Sequence, residues 1–249
     1  MSITPIVAGN WKMNKTPSKG VTFVEECMNM LLDIEKVHVI FCPPFTGLFD
    51  IDAASPFSIG AQHCHWEDQG AFTGEISVGM LKDCGVDYVI VGHSERRHVF
   101  GETDNWINRK IKAIINADLT PIFCIGETLE QRESGHTNQI LERQLRDGLK
   151  KVDFVEKLVI AYEPVWAIGS GVTAAVEQVA DAHLQVKNIL SMQFRDSSID
   201  NLPILYGGSV TPDNAKELIS VQGVNGFLIG GASLNINSFI SIVRKVEKN

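Results

Sequence analysis

Apolar residues in this chain gather in short runs, and most of the runs are continuous rather than alternating. Eight of them fall at 6–8, 37–42, 57–61, 88–91, 122–125, 158–162, 202–206 and 226–229. A strand wetted on one face alternates apolar with polar positions, so unbroken runs predict strands buried on both faces. Between the runs lie helical stripes. Val21, Val24, Met28 and Leu31 follow a Thr16-Pro17 start signal at intervals of three, four and three. The same intervals join Val179, Ala182, Val186 and Ile189, and Phe239, Ile242, Val243 and Val246 form a further stripe. A helix is also predicted near 45–54, on the least regular pattern of the set.

Eight strands alternating with eight helices predict a parallel α/β protein. Periodicity alone fits an open doubly wound sheet almost as well as a closed barrel. Length decides between them: 249 residues make eight units of about 31, close to the roughly 30 of one strand–helix repeat. No linker, charge run or low-complexity stretch divides the chain. The prediction is therefore one (β/α)8 barrel domain spanning residues 1–249.

Charge and cysteine content narrow the function. With 22 Lys and Arg against 30 Asp and Glu, the formal net charge is −8, which argues against nucleic acid or an anionic membrane as partner. No run approaches the roughly 18 apolar residues of a membrane span. The opening MSITPIVAGNWK lacks the apolar core of a secretory leader, so a cytoplasmic location is expected. Cys27, Cys42, Cys64, Cys84 and Cys124 form no CxxC pair, so neither a disulfide framework nor a zinc knuckle is expected. Those thiols are read as small apolar packing groups.

Polar side chains recur where the apolar runs stop. Asn10 and Lys12 follow IVAG, His63 follows SIGAQ, His93 follows YVIVG, Glu127 follows IFCIG and Glu163 follows LVIAY. The last two runs end instead in Gly207-Gly208-Ser209 and Gly230-Gly231. In a β/α barrel such ends converge on one rim, where the chemistry of these enzymes sits. Glu163, held extended by Pro164, reads as a general base or as a braced carboxylate. His93 reads as a hydrogen-bond donor or a buried structural ring. Ser94 is expected to cap the following helix, whose positive end would disfavour imidazolium. Lys12 reads as surface charge or as the cation for an anionic substrate. The glycine turns can cradle a phosphate or simply turn the chain. The apolar loop PVWAIGSG after Glu163 reads as a lid that excludes water, or as a loop packed permanently on the surface.

Two further patterns carry less. Residues 169–174 match GxGxxA, but five residues separate them from the strand, where a dinucleotide turn must follow at once. His63-Cys64-His65-Trp66-Glu67-Asp68 offers metal-like donors with no second cluster. No metal and no cofactor is called for.

AGNWKMN at 8–14, GHSERR at 92–97, AYEPVWAIGSG at 161–171, YGGSV at 206–210 and LIGGASL at 228–234 together resemble the triosephosphate isomerase family over almost the whole chain. The resemblance implies a cofactor-free isomerase of glycolysis and gluconeogenesis that interconverts dihydroxyacetone phosphate and D-glyceraldehyde 3-phosphate through an enediol(ate). It implies Glu163 as base, neutral His93 as proton donor and shuttle, and Lys12 with Asn10 stabilising developing oxyanion and substrate charge. Gly169, Ser209, Gly230 and Gly231 would hold the phosphate, and a lid over about 164–174 would limit its elimination. A homodimer is implied, the loop from His63 to Glu75 reaching into the partner with Thr73 and Gly74 near its tip. The chain departs from the family pattern at Gln62-His63, where Gln-Asn is usual. It departs again at Gly169-Ser170-Gly171-Val172-Thr173, where Gly-Thr-Gly-Lys-Thr is usual. The alternatives are a phosphate-binding barrel lyase or aldolase using a lysine Schiff base, and a non-catalytic barrel scaffold.

Overall fold

A computed structural model describes residues 3–153, 155–169, 173–194 and 197–249. Eight parallel strands close into a barrel in sequence order: β1 (Ile6–Asn10), β2 (His38–Cys42), β3 (Phe57–Ala61), β4 (Val86–Val91), β5 (Thr120–Ile125), β6 (Val159–Tyr162), β7 (Ile204–Tyr206) and β8 (Gly226–Ile229). The last strand pairs with the first, Val7 opposite Phe227. Alternate residues of every strand except β3, whose intervening positions are Ser58 and Gly60, join two separate apolar clusters. Ile6, Ala8, Ile40, Cys42, Ile90, Ile122, Cys124, Val159, Ala161, Leu205 and Leu228 form one, filling the barrel. Val7, Phe41, Ile59, Phe123, Ile160, Tyr206 and Ile229 belong to the other, which joins the strands to the surrounding helices. Two-sided burial is why the strands read as unbroken apolar runs.

Among the described residues the helices are α1 (Pro17–Met30), α2 (Val78–Asp83), α3 (Ser94–His98), α4 (Asp104–Asn116), α5 (Leu129–Glu133), α6 (Thr137–Gly148), α7 (Val176–Gln193), α8 (Ala215–Ile219) and α9 (Ile236–Glu247). Local signals set their ends. Thr103 accepts from the Trp106 N–H at the start of α4, and Asn235 from the Ser238 N–H at the start of α9. The predicted stripe Phe239, Ile242, Val243 and Val246 is buried on α9.

One expected element is absent among the described residues. Between β2 and β3 there is no α-helix over 45–54, only a 3-10 turn at Phe45–Gly47. Phe45, Leu48 and Ile51 recur every three residues, the period of a 3-10 turn rather than of an α-helix. None of the helices is long and apolar enough to cross a membrane among the described residues.

Candidate active site

Asn10, Lys12, His93, Glu163, Gly169, Ser209, Gly230 and Gly231 all line one cavity of about 210 Å³ at the C-terminal ends of the strands. Strand parity explains much of this convergence. Asn10 continues the inward series Ile6, Ala8, and Glu163 continues Val159, Ala161. Ser209 is in phase with Leu205, and Gly230 with Leu228. His93 is out of phase with Ile90, and Gly92 corrects this by a left-handed turn at φ 70°.

Glu163 is 3% exposed. Its Oε2 accepts the Ser94 N–H at 3.0 Å, and its Oε1 lies 3.2 Å from His93 Nε2. The chain around it is packed too closely for substitution. A Cβ on Gly126 would stand 1.8 Å from the Glu163 carbonyl oxygen, and one on Gly207 would stand 2.8 Å from Glu163 Cγ. The carboxylate is thus fixed by backbone on both sides.

The expected cap of α3 needs correction. His93 itself is the capping residue: its Nδ1 accepts the Glu95 N–H at 3.2 Å, while Ser94 is the first helical residue. An Nδ1 that accepts leaves the single proton of a neutral ring on Nε2, the nitrogen that faces Glu163 and the cavity.

Lys12 adopts φ 51°, uncommon for a residue with a side chain. Two bonds hold it there: its N–H donates to Asn10 Oδ1 at 3.0 Å, and Gln62 Nε2 donates to its carbonyl at 2.8 Å. Its Nζ pairs with Glu95 Oε1 at 2.7 Å, which gives Glu95 a bracing role. Gln62, named from sequence only within the departure at Gln62-His63 and given no place at the rim, lies in phase with Gly60, whose Cβ would meet the inward Cys42 and Ile40.

Gly230 precedes a 3-10 turn at Gly231–Leu234. The first N–H groups of such a turn have no acceptor inside it and are free for an anion. Gly169 and Ile168 close the cavity from the segment after β6. That segment forms a 3-10 turn at Val165–Ala167. Ser170, Gly171 and Val172, including the hinge position where the chain departs from the family pattern, lie outside the described residues.

His63 and Glu127, expected on the same rim, do not face the cavity. Both share the outward phase of their strands. The fully buried Glu127 accepts from Tyr162 Oη at 3.2 Å, Trp166 Nε1 at 3.1 Å and Arg132 Nη1 at 3.0 Å. Its carbonyl accepts the Val165 N–H at 3.0 Å. It braces the start of the expected lid.

His63 sits in a buried network at the root of its loop. Its Nε2 is 2.9 Å from Glu75 Oε2 and its Nδ1 is 3.1 Å from Lys110 Nζ. Lys110 in turn reaches Glu102 Oε1 at 2.6 Å, and Arg96 reaches the same oxygen at 2.7 Å. Burial would raise the Glu102 carboxyl, but Lys110 and Arg96 hold it below its usual value. The neighbouring metal-like donors are occupied otherwise. His65 stacks between Trp66 and Phe72 at centroid distances of 4.3 and 4.2 Å. Burial pushes the Cys64 thiol up to about 12, as it does Cys27 and Cys42.

Acid should destabilise this fold through its buried imidazoles. Burial depresses His63, helped by the Lys110 and Arg96 charges, and burial depresses His183 to about 4. Each ring is neutral when folded and gains a proton on unfolding wherever the pH lies between its folded and free values. Stability is therefore full above about pH 6.5 and falls as the pH drops towards 4. Thermal midpoints measured from pH 7 to 4 should fall steadily, and less steeply in His63→Asn.

The profile of the triosephosphate isomerase family matches residues 5–246. A triosephosphate isomerase of Carboxydothermus hydrogenoformans is 49% identical over 245 residues, covering 96% of this chain and 98% of the relative. That of Citrifermentans bemidjiense is 46% identical, covering 98% and 99%. The crystal structure of the Bartonella henselae triosephosphate isomerase superimposes with a TM-score of 0.89 at 39% identity, covering 99% of this chain and 100% of that one. With its closed eight-stranded barrel and the cavity at its rim, the chain belongs to the triosephosphate isomerase family.

Proposed function

We infer that this cavity interconverts dihydroxyacetone phosphate and D-glyceraldehyde 3-phosphate, the isomerase reaction of its family, by proton transfer through an enediol(ate). The observation that carries the reading is the pairing of a buried carboxylate, Glu163, with the Nε2 of His93 at 3.2 Å. In this reading Glu163 takes the proton from the carbon beside the substrate carbonyl. The electron pair left behind forms the carbon–carbon double bond, and the carbonyl oxygen takes up the charge. His93 donates its Nε2–H to that oxygen, and the Lys12 ammonium offsets the charge as it develops. The neighbouring hydroxyl then gives its proton back to His93 Nε2, its oxygen becomes the new carbonyl, and the proton returned by Glu163 to the former carbonyl carbon completes the isomerisation. Asn10 serves by holding the Lys12 backbone and presenting an amide to the substrate. Gly169, Ser209, Gly230 and Gly231 are assigned to the phosphate end, where N–H donors substitute for the positive charge that an acidic protein lacks. Closure of the segment over 164–174 would exclude water from the enediolate.

Lys12 also speaks against the aldolase reading. Its ammonium is paired with Glu95 at 2.7 Å and remains 28% exposed, unlike the desolvated amine that a Schiff-base lysine needs. Lys12→Met is expected to reduce turnover and to weaken a phosphate-bearing competitive inhibitor by tenfold or more, about 1.4 kcal/mol. Inhibition constants and coupled-assay rates check this, and unchanged inhibitor affinity would return Lys12 to the status of a surface residue.

We also propose a cytoplasmic homodimer joined through the His63–Glu75 loop. Residues 67–75 are exposed, and the chain leaves Met13, Phe72, Met80, Val99 and Phe100 uncovered, Met13 at 95%. Apolar groups exposed on this scale are normally covered by a partner. Sedimentation at micromolar concentration should give the mass of two chains, and deletion of residues 69–74 should give one.

A further inference from the structure

A second lysine on the connection between β1 and α1 has no part in the reaction just described. Lys15 has φ 68°, a left-handed conformation that favours glycine and is strained for any other residue. Its side chain is held at three points. The ammonium donates to the Leu234 carbonyl at 3.0 Å, and it lies 4.0 Å from the centroid of the Phe23 ring and 5.4 Å from that of Trp11. Burial lowers its pKa; Cys27 opposes this and Lys19 reinforces it.

The acceptor gives this contact its meaning. Leu234 ends the 3-10 turn that Gly231 begins, and a carbonyl at that end has no partner inside the turn and attracts a cation. At the other end of the same turn, Gly230, Gly231 and Ala232 line the cavity. Inside the turn, Ser233 bonds the Gly230 carbonyl through its N–H at 2.9 Å and its hydroxyl at 2.6 Å, so that a tie at Leu234 is passed on to the Gly230 end. Three residues before Lys15, Lys12 enters the cavity from β1, the strand paired with β8, and a Cβ on Gly230 would stand 3.5 Å from Lys12 Cε. Lys15 therefore bridges the two connections whose groups converge on the same end of the pocket.

We propose that Lys15 is a positioning residue for phosphate binding, tying the Leu234 carbonyl to the strand-one connection so that Lys12 and the N–H groups of 231–232 keep a fixed separation. This rests on the reading that phosphate occupies that end of the cavity. A strained backbone at Lys15 is tolerated because its side chain completes the tie, which glycine could not do.

The test uses the full-length enzyme and its Lys15→Met, Lys15→Gly and Lys15→Arg variants, with Lys12→Met alongside. Readouts are the inhibition constant of inorganic phosphate, KM and kcat for D-glyceraldehyde 3-phosphate, and the thermal midpoint. Lys15→Met should weaken phosphate and raise KM by about fivefold, the loss expected of one hydrogen bond, with kcat within about twofold. Lys15→Gly should show the same phosphate loss with a midpoint above that of Lys15→Met, because the backbone strain is gone. Lys15→Arg, which can reach the carbonyl and stack on Phe23, should recover most of the affinity. The loss should persist at 1 M salt, where screening over about 3 Å removes any through-space effect of the charge. A lower midpoint with unchanged phosphate affinity and KM overturns the proposal, as does a loss that disappears at 1 M salt. If inorganic phosphate does not compete with substrate in the unsubstituted enzyme, the phosphate reading of the pocket falls with the proposal; unchanged phosphate affinity in Lys12→Met alone removes only Lys12 from that end.

Discussion

Glu163→Gln is expected to fold normally, to bind triose phosphate measurably and to turn it over about 10²–10⁴ times more slowly, a barrier increase of about 3–5 kcal/mol. The amide keeps the shape of the side chain, and its oxygen can still accept the Ser94 N–H that now bonds Oε2 at 3.0 Å. It cannot take a proton from carbon. Its NH₂ would also face the His93 Nε2–H, setting donor against donor. Glu163→Asp separates charge from placement. It keeps a carboxylate but withdraws it by one methylene, about 1.5 Å, and a displacement near 1 Å can reduce a rate about 10²-fold. Steady-state kinetics on both variants check the assignment. Near-normal turnover in Glu163→Gln would remove Glu163 from the role of base.

The largest stability effect is expected away from the cavity. Lys110 is 2% exposed and Glu102 is 5% exposed, and Glu102 Oε2 has no hydrogen-bond partner among the described residues. Lys110→Met would remove the better-buried cation and leave the carboxylate to Arg96 and to His63 Nδ1, 3.3 Å away and neutral at pH 7. Breaking one side of a buried pair strands a charge, so the expected loss is about 3–5 kcal/mol in urea unfolding. The double variant Lys110→Met with Glu102→Leu should recover part of that loss, because no buried charge remains. A loss under about 1 kcal/mol in the single variant would show that the network is solvated and dispensable. Arg96 bonds the same Glu102 oxygen at 2.7 Å from α3, the helix capped by His93. The single variant should for that reason disturb kcat as well as stability.

Strand positions were legible because burial on both faces leaves a continuous apolar run, and the observed β3 spans the same residues, Phe57–Ala61, that the run predicts. The rim was legible only in part. Asn10 and Glu163 sit where their strands end and in the inward phase, so position and phase agree. His63 and Glu127 also follow strand ends but in the outward phase, alongside Ala61 and Ile125 of the outer cluster. Position alone assigned them to the rim; phase sends them behind it, one to the loop root and the other to the Trp166 brace. The same count would have found Gln62. His93 defeats the count, since Gly92 at φ 70° re-aims the chain by one residue. The lysine tie could not be read from sequence at all. It joins positions 15 and 234, and its sense depends on a backbone angle and on two aromatic rings supplied by Trp11 and Phe23.

The family accounts for the reaction, and the proposed mechanism assigns the proton transfer to one carboxylate: Glu163 would remove and return a proton at carbon. Isomerisation in deuterium oxide, followed by proton NMR, tests that claim most directly. Given D-glyceraldehyde 3-phosphate and run to equilibrium, the native enzyme should yield dihydroxyacetone phosphate carrying solvent deuterium at C1, because a carboxylic acid exchanges its proton with solvent between removal and return. Glu163→Gln should lose product and deuterium together. Product that reaches equilibrium with no deuterium at C1 would mean direct hydride transfer between the two carbons, and would contradict the account.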